Sequence, residues 1–402
     1  MSEGALTAPH LERCIHCGLC LEYCPTYTIL RQEPNSPRGR LAIWRAIQDG
    51  RLEISDRTDF FTDECVGCLA CENNCPSNVP YGEILSAVRS QRVAAGRKPK
   101  LVQRLSAWLV PHTKTFQLLN APARLLRKWH LLPHRFVFPG SPAVFKSTAA
   151  YAEELMDRHR PTGPKVALFT GCLMEGLFRE INFATVRVLI ANNVRVIVPR
   201  EQACCGAVAE HCGAPGKEAL DERNRAAFDE LRVDCVIANS AGCGLALKEG
   251  IRKPVVDVMS FLGGLKLKAG KKLATEHVYL DLPCHLCHGL RVRAVPPSIF
   301  QAFNQPWSLA PHAEDCCGSG GTYNLVKPDN AKAILARKAA FLEERDHAHC
   351  TVATVNHVCM MQWNSARARL GRRKVAVKHL VQLLDEAYGG EAGLAALAPA
   401  QG

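Results

Sequence analysis

The chain has 402 residues, 47% of them apolar and 22% charged, with a formal net charge of +12. That length exceeds what one hydrophobic core commonly serves, so two or three domains are expected, and the composition excludes a disordered or fibrous chain. Aromatic residues are only 6% and the basic residues form no dense tail, which argues against a nucleic-acid-binding module, since that needs clustered phosphate contacts and stacking rings.

The 20 cysteines are the departure from ordinary usage. The opening residues, MSEGALTAPHLERC, have neither the basic start nor the apolar run of an export signal, and no uninterrupted apolar stretch reaches bilayer-spanning length. The expectation is a cytoplasmic protein whose cysteines stay reduced and serve metal or catalysis rather than disulfides.

In chain order, residues 1–95 come first and hold two motifs. CIHCGLCLEYCP supplies Cys14, Cys17, Cys20 and Cys24 followed by Pro25, and CVGCLACENNCP supplies Cys65, Cys68, Cys71 and Cys75 followed by Pro76. Both read CxxCxxCxxxCP, the bacterial run for 4Fe-4S cubanes. Three thiolates two residues apart let one tight loop wrap three corners of a cube, while the fourth cysteine starts the departing helix and serves the neighbouring cluster. The expected sets are therefore Cys14, Cys17, Cys20 and Cys75 for one cluster and Cys65, Cys68, Cys71 and Cys24 for the other. Proline suits the first turn of that helix, where no amide donor is needed. Zinc, the alternative for CxxC pairs, does not account for three evenly spaced thiols, a fourth and a proline, twice over. Between the motifs, PNSPRGRLAIWRAIQDG predicts a helix whose Arg38, Arg40 and Arg45 either tune an anionic cluster or form a solvated face.

Residues 96–160 hold no cysteine and read as a basic helical linker. Leu101, Leu105, Trp108, Leu109, Leu118, Leu119, Leu125, Leu126 and Trp129 alternate with Arg104, Lys114, Arg124, Arg127 and Lys128, the pattern of basic amphipathic helices. Packing against the other domains or a partner subunit is expected in preference to lying on an anionic membrane.

Residues 165–270 and 275–388 repeat one another. Cys172 is followed 32 residues later by the pair Cys204 and Cys205, and Cys284 is followed 32 residues later by Cys316 and Cys317. Gly206 and Gly318 complete two CCG triplets, and each half ends on one more cysteine, Cys243 or Cys359. KVALFTG, VRVIV and VDCVIANS in the first half, and HVYLDLP and TVATVNH in the second, read as short strands separated by helices over 177–191 and 329–345. A small parallel α/β sheet is expected in each half, with cysteines at the strand ends where such sheets bind ligands. Cys172, Cys204, Cys205 and Cys243, then Cys284, Cys316, Cys317 and Cys359, are enough thiols for further iron-sulfur sites, with Cys287 in PCHLCHG an additional candidate. The alternative is that the halves are degenerate and their cysteines form a docking or quinone-facing surface.

His285 and His288 flank the second site as ligands, proton relays or structural residues. Cys212, Cys235 and Cys350 have no counterpart in the repeat and read as small buried residues. GSGG at 318–321 lacks the spacing and the ribose-binding acid of a dinucleotide loop. Residues 389–402 are expected to be a flexible tail.

The CCG halves resemble the cysteine-rich domains of heterodisulfide reductases and related oxidoreductase subunits. Where the fullest form of that pattern has CxxC, this chain has Ser240 in SAGC and Asn356 in NHVC. Over nearly its full length the order of parts resembles the glycolate oxidase iron-sulfur subunits. The likeness rests on CxxCGLC followed by CPTY, SPRGR at 36–40, CPSNVPYG at 75–82, and two CCG halves with PCHLCHG in the second. Asn78 stands where glycine is usual, a position an asparagine fits because it accepts left-handed turns, and Cys287 is not a usual family residue.

The resemblance implies a mixed α+β and α/β chain: an N-terminal, mainly helical two-cluster ferredoxin-like domain followed by two repeated α/β CCG domains. It implies two 4Fe-4S clusters and an electron-transfer role in a glycolate dehydrogenase-type complex. The hydroxy acid would be oxidised on flavin-binding partner subunits, because this chain has no flavin or nicotinamide fingerprint. A quinone is the implied acceptor, the implied location is cytoplasmic or peripheral on the inner face of the cell membrane, and no nucleic-acid partner is implied. The corresponding subunits of anaerobic glycerol-3-phosphate and lactate dehydrogenases share these parts, and sequence does not separate them.

Overall fold

The computed structural model describes residues 6–112, 115, 146–344, 349–371 and 375–396. Most of the expected amphipathic linker, including Lys114, Leu118, Leu119, Arg124, Leu125, Leu126, Arg127, Lys128 and Trp129, lies outside the described residues.

The N-terminal part is helical, with helices Pro25–Leu30, Pro37–Gln48, Asp56–Asp63, Ala70–Asn73 and Tyr81–Ala94. Local signals start them. Pro25 and Pro37 occupy first turns, the Ser36 hydroxyl accepts the Gly39 amide at 2.9 Å, and Ser55 and Thr58 cap the third helix reciprocally. Leu41 and Trp44 from one long helix bury against Ile84, Leu85 and Val88 from the other, and the Trp44 indole donates to Thr62 at 3.0 Å.

Two four-stranded sheets follow. β1 Lys165–Phe169, β2 Arg195–Ile197, β3 Cys235–Ala238 and β4 Val255–Asp257 lie in the order β2-β1-β3-β4. β5 His277–Leu280, β6 Trp307–Leu309, β7 Cys350–Thr354 and β8 Ala376–His379 lie in the order β6-β5-β7-β8. All pairings are parallel, Val166 lying opposite Cys235 and Val278 opposite Thr351. The central strands are buried along nearly their whole length because helices cover both faces. β4, β6 and β8 were not anticipated, being runs of three or four residues too short to show a period.

The helix expected over 177–191 breaks at Phe178 into Cys172–Leu177 and Arg179–Ala191, and that over 329–345 into Pro328–Ala339 and Phe341–Glu344. The tail is corrected as well. Gly389 and Gly390, at φ 85° and 60°, turn the chain into the helix Gly390–Ala395, which buries Leu394 in the core.

The two sheets share one core in which Leu168, Leu189 and Met259 join Leu280, Trp363 and Leu384. Across the seam between the halves, Arg187 grips Asp385 through two hydrogen bonds of 2.7 and 2.6 Å, and the His379 ring donates to the Asn239 carbonyl at 2.8 Å. Of the two described helices in the linker, Thr148–His159 packs Tyr151, Ala152 and Leu155 into this core, whereas Leu101–Leu109 leaves Leu101, Val102, Leu105 and Trp108 exposed. No helix among the described residues is long and apolar enough to cross a membrane.

Candidate metal centres

The two N-terminal loops follow the same backbone course. Residues two and four after the first cysteine are left-handed in each: His16 and Gly18 at φ 56° and 87°, Gly67 and Leu69 at 75° and 63°. Leu69 has a Cβ and pays for that conformation, which marks a loop fixed by its surroundings. Asn78 is left-handed too, at φ 47°, where a glycine would fit.

Cys14, Cys17, Cys20 and Cys75 line one small cavity together with Cys71, Arg38, Leu41 and Val79. Cys17 is exposed, and burial pushes the Cys20 thiol up to about 11. Cys65, Cys68, Cys71 and Cys24 are all buried, and Cys71 feels the charges of Cys68, Cys65 and Cys24. Cys24 is held by Thr26 at 3.3 Å and is pushed up by burial. Of the three arginines, Arg40 is 1% exposed, donates to the Phe61 carbonyl at 2.7 Å and to Thr26 at 3.0 Å, and acts on Cys65 and Cys24. Arg38 pairs with Glu33 and donates to the His16 carbonyl beside the first loop, while Arg45 sits on the solvent side near Asp49.

In the first half, Cys172 opens the helix after β1 and its sulfur lies 3.4 Å from that of Cys204. Cys205 sits between Cys204 and Cys243 and is held well below the usual thiol range because both donate to it. In the second half, Cys317 and Cys359 are 3.3 Å apart, and Cys284 and Cys317 are both held low, chiefly by the thiol of Cys316. Gly206 and Gly318 are left-handed at φ 78° and 79°, and their amides reach back to Cys204 and Cys316 at 3.5 and 3.3 Å. A Cβ at Gly318 would stand 2.6 Å from the Ala331 carbonyl oxygen, so only glycine fits there.

Several candidates fall outside these groups. Cys287 is fully buried with its thiol nearest the Pro283 carbonyl at 3.3 Å, on a π-helical turn, and it shares only a loose grouping with His288 and Glu314. His285 faces Cys284 at 3.7 Å, whereas the His288 ring is tied to the Glu314 carbonyl at 3.1 Å. Cys212, Cys235 and Cys350 are buried, Cys212 against the Thr322 hydroxyl. Ser240 and Asn356 face one another across the seam at 3.4 Å.

The second loop seats on the second half. Glu64, 2% exposed, is bound by Lys327, by Asn330 at 2.7 Å and by Tyr323 at 3.3 Å. Val66 fills the space over Gly320, so the GSGG run is a docking surface for this loop. Cys68 thereby comes within hydrogen-bonding reach of Cys316, joining the N-terminal thiols to those of the second half. A cavity of about 490 Å³ opens at the junction of all three parts, lined among others by Leu69, Arg89, Glu210, His211 and His285.

Residues that sequence reasoning missed complete these surroundings. Lys338 is 1% exposed, pairs with the fully buried Asp281 at 2.5 Å, donates to the Ala313 and Asp315 carbonyls, and acts on Cys317. Asn224 braces the first half instead, accepting from the Ala203 amide at 2.9 Å and donating to the Cys204 carbonyl at 3.1 Å. His357 is buried near the first half, with its pKa pushed down to about 4 by burial and then by His379. Lys338 does have a sequence signal, a charge at a buried position of a helix whose other inward residues are Ala331, Ile334 and Leu335.

Sulfur-only donor sets exclude a hard cation and suit iron-sulfur groups or zinc, and the paired CxxCxxCxxxCP runs, which zinc does not call for, favour the clusters. Paired cluster loops followed by two cysteine-rich parallel sheets define an iron-sulfur protein of the electron-carrier class. The 4Fe-4S dicluster domain family matches residues 10–79, and the cysteine-rich domain family matches residues 166–248 and 282–364. The "Probable glycolate oxidase iron-sulfur subunit" of Bacillus subtilis is 32% identical over 97% of this chain and 95% of its own. The glycolate oxidase iron-sulfur subunit of Escherichia coli is 27% identical over 94% of each. A heterodisulfide reductase subunit of Methanosarcina mazei is 25% identical over 82% of this chain and 83% of its own. The chain belongs to the glycolate oxidase iron-sulfur subunit family.

Proposed function

We propose that this chain is the electron-transfer subunit of a complex that oxidises a 2-hydroxy acid of the glycolate class on a flavin-binding partner, and that it carries the electrons onward one at a time. Bound clusters supply single-electron steps between a two-electron flavin and a downstream acceptor. Cys14, Cys17, Cys20 and Cys75 would hold the first cluster and Cys65, Cys68, Cys71 and Cys24 the second. Cys172, Cys204, Cys205 and Cys243, with Cys284, Cys316, Cys317 and Cys359, would hold further iron-sulfur groups.

The observation that carries this reading is the neighbourhood of the three thiol groups: Cys20 of the first set acts on Cys71 of the second, and Cys68 of the second shares a buried cluster with Cys284 and Cys316. The chain's own residues do three things along it. Left-handed loop positions turn amides towards the thiols, Arg40 and Lys338 offset anionic charge where water is excluded, and Glu64 fixes the loop against the second half. The cavity at the three-way junction supports a small acceptor such as a quinone, since His211, His285 and Glu210 on its walls can exchange protons.

Purifying the tagged chain anaerobically with whatever accompanies it tests the proposal. Flavin-containing partners and turnover of glycolate are expected. Turnover of glycerol 3-phosphate without glycolate would overturn the substrate, and a colourless, iron-free chain would overturn the role.

A further inference from the structure

His357 opens a second-half helix two residues before Cys359, yet its surroundings belong largely to the first half. Its ring centroid lies 5.5 Å from that of Phe178, at the end of the helix that Cys172 begins. The residue before it, Asn356, touches Ser240 of the first half, three residues from Cys243. Of the thiols, Cys205 is the one whose charge acts on it.

The side chain is 3% exposed, and neither ring nitrogen has a hydrogen-bond partner among the described residues. An imidazole always carries at least one N–H. Leaving it unmet in the interior costs about 1–3 kcal/mol, and proteins rarely tolerate this without a reason. Neighbouring histidines show what satisfaction looks like. The fully buried His379 donates from one nitrogen to the Asn239 carbonyl and accepts the Val381 amide on the other, and His288 is tied to a carbonyl. His357 alone among these three has neither kind of contact.

We propose that His357, contributed by the second half, donates a ring N–H to the iron-sulfur group held by Cys172, Cys204, Cys205 and Cys243, so that the first-half site is completed across the seam. This rests on the reading that the first half holds such a group. The chemistry follows from the donor: a neutral N–H directed at an electron-rich sulfur favours the reduced, more negative state and raises its potential. The second half has a different device, the Lys338 cation. His357 thus acts as a positioning residue and takes no part in bond making.

The test uses the full chain purified anaerobically from cells fed ¹⁵N-histidine. The first-half signal is identified as the one lost, with a corresponding loss of iron, in the Cys172→Ala/Cys205→Ala double variant. Pulsed electron paramagnetic resonance on that signal in the wild type is expected to show a ¹⁵N coupling that disappears in His357→Phe at full iron content. The midpoint potential of that signal is expected to fall in His357→Phe and to return most of the way in His357→Gln, which keeps an N–H donor. Absence of nitrogen coupling in the wild type overturns the inference even if the phenylalanine variant fails to fold, and so does an unchanged potential in a folded His357→Phe. If the Cys172→Ala/Cys205→Ala double variant keeps all its iron, the first-half cluster itself is excluded and the inference falls with it.

Discussion

The two halves share strand order, cysteine spacing and the left-handed glycine after each cysteine pair, but their sulfur sites are braced by different chemistry. Behind Cys204 stands the neutral amide of Asn224; behind Cys317 stands the Lys338 cation with its partner Asp281. The first half holds one thiol low, Cys205, and the second holds two, Cys284 and Cys317. Among the described residues, the second half is the one whose thiols share a buried cluster with an N-terminal thiol, Cys68. A duplicated scaffold has kept the backbone cradle and let the charge behind it diverge, which is how one fold can host two sites of different potential.

The sharpest way to break this comparison is Lys338→Met. It leaves Asp281 buried and unpaired, and a loss of about 3–5 kcal/mol is expected in denaturant unfolding, as for other broken buried pairs. Lys338→Met with Asp281→Leu should recover most of that loss; a single variant as stable as wild type would show that the pair carries no weight.

The seam between the halves should fail next, through acid. His379 has its pKa pushed down to about 4 by burial, which outweighs the backbone partners that favour the charged ring, and its two nitrogens donate to Asn239 and accept from Val381. Unfolded chains bind the second ring proton near pH 6.5, so the contribution is complete above 6.5 and is lost as pH falls towards 4. It amounts to on the order of 3 kcal/mol. Urea midpoints measured from pH 7 to pH 4 should fall more steeply in wild type than in His379→Gln.

Asn224→Ala is expected to cost about 2 kcal/mol by leaving the Ala203 amide and Cys204 carbonyl unmet. Unlike Lys338→Met, it removes no charge, so a redox titration should move the first-half potential far less than Lys338→Met moves the second. Equal shifts would erase the distinction. Arg200→Ala gives the baseline, since its pair with Glu153 is exposed on both sides, and the thermal unfolding midpoint should not shift measurably.

Much of the architecture was legible because it is local. The 32-residue spacing, the central apolar strands, the proline-started helices and the cluster loops all announce themselves in short stretches of chain or in a simple repeat. What was hidden depends on distant residues meeting. Glu64 meets Lys327, Arg187 meets Asp385 and Cys68 meets Cys316, and no period or motif encodes such meetings. His357 was passed over for the same reason, since in sequence it is merely the neighbour of a second-half cysteine.

The fit of Val66 over Gly320 has one more consequence. A Cβ on that glycine would lie 2.6 Å from both the Val66 backbone oxygen and its side chain, so the loop would have to lift away. One added methyl would act as a washer: it removes no thiol, yet it carries Cys68, on its lifted loop, away from Cys316.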